Sequence, residues 1–192
     1  LRLSLDMHFV FTAYPEDYTN RGSIVTPLKD RIGSQILTHY PETIQIAKTI
    51  TSQEAALDTR QSSTIFIPEL AKDILEQIVF EARKSEFVDV KSGVSARLSI
   101  TAFENLVSTA ERRLLHSGDD KTGIRMSDFT GIIPAITGKI ELVYEGEQEG
   151  AYNVALTLLG NAIKSLYSEF FPKIEKIEKQ GVESPYDEIV SW

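Results

Sequence analysis

The sequence predicts a mainly α-helical protein that opens with a short α/β segment. Two observations support this prediction. Residues 7–13, MHFVFTA, form a continuous apolar run closed by Pro15, which is typical of a strand buried on both faces. From Pro41 onward, apolar residues recur at helical spacing in several segments, so the rest of the chain is expected to be helical.

The first 40 residues are expected to form a strand, a short helix and a second strand. Ile24 to Ile32 can form one or two helical turns, and Ser34 to Tyr40 alternates enough for the second strand. Two strands cannot bury both of their faces alone. We therefore expect the rest of their sheet to precede Leu1, which would make the chain part of a longer protein.

Four residues give start signals for the helices expected after residue 40. Pro41 and Pro68 suit a first helical position, and Ser95 and Ser127 can accept a backbone hydrogen bond at a helix start. Gly118 is expected to stop the helix that follows Ser95, because glycine readily takes the left-handed conformation that ends many helices. A last long helix is expected from about residue 148, with an apolar face formed by Val154, Ala155, Leu158, Leu159, Ala162, Ile163, Leu166 and Phe170.

Composition and charge exclude several classes of protein. The formal net charge of −8 argues against nucleic-acid binding, which depends on neutralising phosphates with Lys and Arg. The chain has no cysteine, and its three histidines, His8, His39 and His116, are too scattered to indicate a metal site. No apolar run approaches the ~20 residues of a membrane span. We therefore expect a cytoplasmic protein with no metal site and no affinity for nucleic acid or membrane.

Arg31 is the first candidate for a functional residue. It lies in LKDRIGSQI, just before the expected second strand. An arginine stays protonated and presents a rigid fork of donors, so it can stabilise the charge that develops on a transferred phosphoryl group. The alternative is a surface arginine paired with Asp30 or Asp17.

Two other groups of charged residues have simpler interpretations. Arg112 and Arg113 are expected to be solvated. An acidic run could bind a divalent ion, but it lacks EF-hand spacing, so a solvated loop is favoured. This run consists of Glu141, Glu145, Glu147 and Glu149.

Residues 12–34, TAYPEDYTNRGSIVTPLKDRIGS, resemble the stretch from first sensor to arginine finger in the magnesium-chelatase I-subunit and MoxR-like branch of the AAA+ ATPases. That stretch reads roughly T-A-N-P-E, a gap, and then L-x-D-R-F/I. The resemblance implies that Arg31 is the arginine finger, which reaches the nucleotide of the neighbouring subunit.

Further along, residues 92–106, SGVSARLSITAFENL, resemble the start of the lid helix in the same family. By that resemblance, Arg97 is the second sensor and contacts the γ-phosphate. A helix N-terminus with a guanidinium beside it also attracts anionic oxygens on physical grounds. Residues 123–140 resemble the capped helix that closes the lid, and GKIELVYEGEQEG is similar to a chelatase-like subgroup.

The resemblance covers most of residues 1–160 and implies three parts. Residues 1–40 are the end of the α/β core of a P-loop NTPase, 41–138 are the helical lid domain, and 139–192 are a C-terminal helical extension. The chain departs from the family at two points. Tyr14 occupies the first-sensor position, where the family has asparagine, and no G-x-x-x-x-G-K-[ST] phosphate loop occurs in the 192 residues.

These features lead to two functional hypotheses. The first is a fragment of a chelatase-like AAA+ ATPase that forms a ring, binds ATP and Mg²⁺ in its full-length form, and remodels a partner protein carrying a metal-dependent adhesion domain. The fragment alone is then expected to hold no nucleotide and to be inactive. The second is a non-catalytic helical adaptor derived from such an ATPase, which Tyr14 and the missing phosphate loop favour.

Overall fold

The computed structural model describes residues 7–12 and 30–171. Its contacts divide the chain into two units, Leu1–His39 and Tyr40–Trp192. In the described residues no helix is both long and apolar enough to cross a membrane.

The described residues of the first unit form no strand. Residues 7–12 and 32–39 have no ladder partner there, and both segments are largely exposed, as Phe9 and Phe11 illustrate. The expected strands at 7–13 and 34–40 are therefore not found in these residues. The reason is physical: a strand is stabilised by a neighbour that pairs its backbone groups, and an apolar run supplies no such neighbour. Asp30 and Arg31 lie in a turn, and residues 13–29 fall outside the described range.

The second unit is mainly helical, as the sequence predicted. Seven α-helices, a 3₁₀ helix and one pair of two-residue parallel strands are assigned among its described residues. In chain order they are α1 (Ile44–Glu54), α2 (Thr59–Thr64), β1 (Ile65–Phe66), α3 (Glu69–Lys84), α4 (Arg97–Ser117), β2 (Thr122–Gly123), the 3₁₀ helix (Met126–Ile132), α5 (Ile133–Thr137), α6 (Tyr144–Glu149) and α7 (Ala151–Phe170).

The helix boundaries agree with the sequence signals more closely at the ends than at the starts. Helix α4 stops at Gly118, which takes the expected left-handed conformation with φ of 72°. Helix α1 begins three residues after Pro41, because the side chain of Thr43 accepts a hydrogen bond from the backbone of Ile46 and caps the helix there. The chain around residue 148 is also helical, but Gly150, with φ of 89°, separates α6 from α7.

One hydrophobic core joins helices α3, α4, α5 and α7. The expected apolar face of the last helix is confirmed in part. Leu159 and Ile163 are half-buried and Phe170 is exposed, while the other five expected residues are buried: Val154, Ala155, Leu158, Ala162 and Leu166. Helix α7 packs mainly against α3, with further contacts to α5 and α6. The helix expected in a C-terminal extension therefore shares its core with residues from 41–138.

Arg113 holds together the segments that follow α4. Its guanidinium donates to both carboxylate oxygens of Asp128, at 3.0 and 2.8 Å, and to Thr122 Oγ1 and the Gly123 carbonyl, both at 2.7 Å. Asp128 is 2% exposed. Burial raises the pKa of Asp128, but the hydrogen bonds from Arg113 and from the Arg125 backbone outweigh burial and leave this pKa below its ordinary 3.8. The expectation that Arg113 is solvated was wrong, while Arg112 is exposed as expected.

Candidate functional site

Arg97 is the first residue of helix α4, and its side chain is exposed. Ser95 lies two residues earlier, and its Oγ accepts a hydrogen bond from the Arg97 backbone at 3.2 Å. Among residues 40–171, no hydrogen bond or ion pair engages the Arg97 guanidinium. The positively charged side chain of Arg97 is therefore exposed to solvent at the positive end of the dipole of a 21-residue helix.

Glu76 anchors this helix start from inside the protein. It lies on α3, is 1% exposed, and accepts hydrogen bonds from Ser99 Oγ at 2.8 Å and from Thr51 Oγ1 at 2.6 Å. Ser99 is two residues after Arg97, and Thr51 is on α1. A single carboxylate thus ties the first turn of α4 to two other helices and limits the positions that Arg97 can reach.

The surroundings of Glu76 support a structural role for it. A cavity of about 10 Å³ lies beside the carboxylate, lined in part by Lys48, Thr51 and Phe103. Such a volume holds roughly one water molecule, so it is too small for a substrate. Burial raises the pKa of Glu76 above its ordinary 4.5, and the two hydroxyl hydrogen bonds offset this rise only in part.

The raised pKa gives a testable pH dependence. Protonated Glu76 is favoured in the folded state, so its contribution to stability is complete below pH about 4.5 and is lost as pH rises towards the folded pKa. Glu76→Gln cannot ionise. We expect the free energy of unfolding of this variant, relative to the wild type, to increase steadily as pH rises above about 4.5. Urea titrations at several pH values measure this difference.

Glu69→Gln is the matched control on the same helix. Hydrogen bonds from Lys48 and Lys72 lower the pKa of Glu69 to about 2, so its contribution is present above the unfolded pKa and is lost as pH falls. The two variants should therefore show opposite trends with pH. If Glu76→Gln and the wild type keep a constant difference in stability across the range, the raised pKa of Glu76 is contradicted.

Tyr40 fixes the loop that leads into α4. Its hydroxyl accepts a hydrogen bond from the buried backbone N–H of Val94 at 3.0 Å. The Arg83 guanidinium lies over the Tyr40 ring, 4.1 Å from its centroid. Gly93 has φ of 70°, and a Cβ there would stand 2.5 Å from the Tyr40 hydroxyl, so this close approach requires glycine. The start of α4 is thus held on one side by Glu76 and on another by Tyr40.

The other candidate residues belong to the first unit. Arg31 is exposed in the turn at 30–31, and it makes no ion pair with Asp30. Asp17, the alternative partner, and Tyr14, the residue at the first-sensor position, lie outside the described residues. Arg31 and Arg97 lie in different units and are described separately.

Sequence reasoning placed Arg97 but missed the residues that hold it. Glu76 lies close to the buried apolar residues Leu75 and Ile78 on α3. This position was the available signal, because a carboxylate among core residues requires buried donors. Nothing in the sequence pairs it with Thr51 or Ser99, which are 25 and 23 residues away. Tyr40 was predicted to end the second strand, so its contact with the loop before α4 was also missed.

Comparisons with known proteins add no relationship to this geometry. Scans of this chain against protein-family models, curated proteins and solved structures found no match.

Proposed function

We propose that this chain contributes the helical lid and two nucleotide-facing arginines to a magnesium-chelatase-like AAA+ ATPase. The observation that supports the proposal best is the exposed Arg97 at the anchored start of α4. The long helix brings its positive dipole end to this position, and the guanidinium adds charged donors. This is the chemistry that binds a nucleotide phosphate.

The described residues fit one part of a nucleotide site. They offer Arg97, but no group of three or more His, Cys, Asp or Glu residues suited to a metal lies within 7–12 and 30–171. The 192 residues also contain no phosphate loop. ATP and Mg²⁺ would therefore be held mainly by residues outside this sequence. The role of Arg97 would be to neutralise the terminal phosphate and to couple it to the lid.

Arg31 has a different role in this proposal. It would project from one subunit of a ring towards the nucleotide of the next, where it would stabilise charge in the transition state. Its exposure and lack of a described ion-pair partner are compatible with supply in trans. Hydrolysis would then move the lid and act on a partner protein, which we propose carries a metal-dependent adhesion domain.

Arg97→Ala should weaken nucleotide binding in the ATPase that contains this chain. Loss of a charged hydrogen-bond donor costs about 1–3 kcal/mol, which is roughly 5- to 150-fold in Kd. Titration of a fluorescent ATP analogue measures the effect. Arg112→Ala is the control, because Arg112 is an exposed arginine on the same helix, far from its start. Equal affinities of the two variants would contradict the proposed role of Arg97.

The isolated 192-residue chain should bind ATP with at most millimolar affinity, close to ~−4 kcal/mol, and should show no turnover. The reason is that one arginine at a helix start does not replace a phosphate loop. Isothermal titration calorimetry tests this expectation. A micromolar dissociation constant would show that the chain carries a complete site of its own.

A non-catalytic adaptor is the second candidate function. The specific observation in its favour is Tyr14, since tyrosine lacks the paired donor and acceptor of the asparagine amide that positions the attacking water. An ATPase assay on the protein that contains this chain distinguishes the two candidates. Turnover supports the ATPase, and tight partner binding without any turnover supports the adaptor.

A further inference from the structure

Helix α7 carries a second apolar surface besides its buried face. This surface contains four exposed residues, with exposed fractions between 39% and 59%. It also contains two half-buried residues that pack against the core. We call this surface the outer stripe, and its residues are Tyr152, Leu156, Leu159, Ile163, Tyr167 and Phe170. At 100° per residue, the polar residues of α7 such as Asn153 and Thr157 lie beside the stripe and not within it.

Four residues of the outer stripe are placed symmetrically about the point between residues 159 and 160, close to the centre of Ala151–Phe170. Tyr152 corresponds to Tyr167, and Leu156 corresponds to Ile163. Leu159 corresponds to Gly160, which is not part of the stripe, and Phe170 has no counterpart on α7. When similar residues follow one another in both directions along a surface, the surface can pair with a copy of itself in antiparallel orientation. A two-fold interface joins the same surface of both copies in this way.

Gly160 suits the crossing point of such a pair. It is exposed, and a Cβ added to it would meet nothing within 4 Å. Glycine in a helix interior costs ~1 kcal/mol relative to alanine, and no contact within the described residues requires glycine at this position. In a paired arrangement the missing side chain would let Leu159 of the second copy approach closely.

The area of the outer stripe fits a dimer of moderate affinity. Fully burying an aromatic side chain removes about 150–250 Å², so four side chains that are about half exposed offer about 400 Å² per copy. A standard interface buries about 800 Å² per partner, of which about 65% is apolar in homodimers. The stripe supplies most of that apolar share.

We infer that the outer stripe is a two-fold interface, on which α7 pairs antiparallel with α7 of a second copy of this chain. The occupant is a second copy because four of the six stripe residues are placed symmetrically along α7 and because the exposed area of the stripe approaches the apolar share of one partner's half of a homodimer contact. This inference is independent of the proposed ATPase function, since a ring joins different surfaces of its subunits while a two-fold pair joins the same surface.

Single cysteine variants give a direct test, because the chain has no natural cysteine. In the inferred pair, residue 160 lies next to the two-fold axis, whereas residue 153 faces position 166 and is about 20 Å from its own copy along the axis. Under mild oxidation, Gly160→Cys should form a disulfide-linked dimer and Asn153→Cys should remain monomeric. Equal cross-linking of both variants would indicate random collision or a parallel pair and would overturn the inference.

Light scattering at increasing concentration provides the second readout. We expect a reversible monomer–dimer equilibrium that added salt strengthens, because each copy carries a net charge of −8. Leu156→Asp should weaken the dimer at least ~10-fold, since it places a charge in an apolar contact, while Thr157→Asp on the polar side should leave it unchanged. Circular dichroism checks that both variants keep their helix content.

Two outcomes of these measurements would contradict the inference. A wild-type chain that stays monomeric at every concentration would leave the stripe to another occupant, such as residues 172–192. A dimer that persists unchanged in Leu156→Asp would be formed through a different surface. Neither outcome affects the nucleotide-binding experiments on Arg97.

Discussion

Arg113→Ala should lower the free energy of unfolding by about 3–5 kcal/mol, the cost typical of breaking a buried ion pair from one side. Asp128 is 2% exposed and would keep one described partner, the Arg125 backbone N–H. Thr122 Oγ1 and the Gly123 carbonyl would also lose their donor, so β2 would lose its hydrogen bonds to the side chain of Arg113 on α4. Chemical denaturation followed by circular dichroism measures this loss.

Arg112→Ala is the control for this prediction. Arg112 is exposed and adjacent in sequence, so its removal should change stability by no more than about 0.5 kcal/mol. The double variant Arg113→Ala, Asp128→Ala should cost less than the sum of the two single variants, because it leaves no charge unpaired. Additive losses would mean that the two side chains are not coupled.

If the proposed ATPase function holds, Arg31→Ala should reduce ATP turnover by at least ~10²-fold, while leaving nucleotide affinity nearly unchanged. The reason is that the charge stabilised by an arginine finger develops mainly in the transition state. Steady-state turnover and equilibrium nucleotide binding, measured on the same preparation, separate the two effects.

Lys29→Ala is the matched control for Arg31, since it also removes one positive charge and Lys29 occupies the variable position of the L-x-D-R pattern. It should leave turnover at the level of the unaltered protein. If Arg31→Ala also turns over ATP at that level, Arg31 has no catalytic role and is a surface arginine, which was the alternative given by the sequence.

The sequence predicted the helices well because their signal is local. The buried face of α7 and the stop at Gly118 follow from spacing and from one glycine, and both are found. The strands at 7–13 and 34–40 were not predictable in this way, because an apolar run indicates burial but does not supply the pairing strand that its backbone needs. The predicted start of α1 was wrong by a few residues, because the helix is capped by Thr43 and does not begin at Pro41.

The candidate site was predictable only in part. Arg97 could be placed at a helix start because serine and arginine at that spacing are a local pattern. The anchors of this helix start are not local: Glu76 contacts residues 23 and 25 positions away, and Tyr40 contacts Val94 across 54 positions. Arg113 was misjudged for the same reason, since its partner Asp128 is 15 residues away.

A subunit-mixing experiment tests the central claim, that Arg97 and Arg31 serve a nucleotide from different subunits. Three variants of the proposed ATPase are needed: Arg31→Ala, Arg97→Ala, and a substitution of the lysine in the phosphate loop that the proposal requires. In the proposed arrangement the phosphate loop and Arg97 come from the subunit that holds the nucleotide, and Arg31 comes from its neighbour.

The measurement is ATP turnover of the mixtures relative to each variant alone. Mixing Arg31→Ala with the lysine variant should restore part of the activity, because some interfaces then combine an intact phosphate loop and Arg97 with an intact Arg31. Mixing Arg97→Ala with the lysine variant should restore none, because no subunit carries both groups. Recovery in the second mixture, or none in the first, would contradict the account.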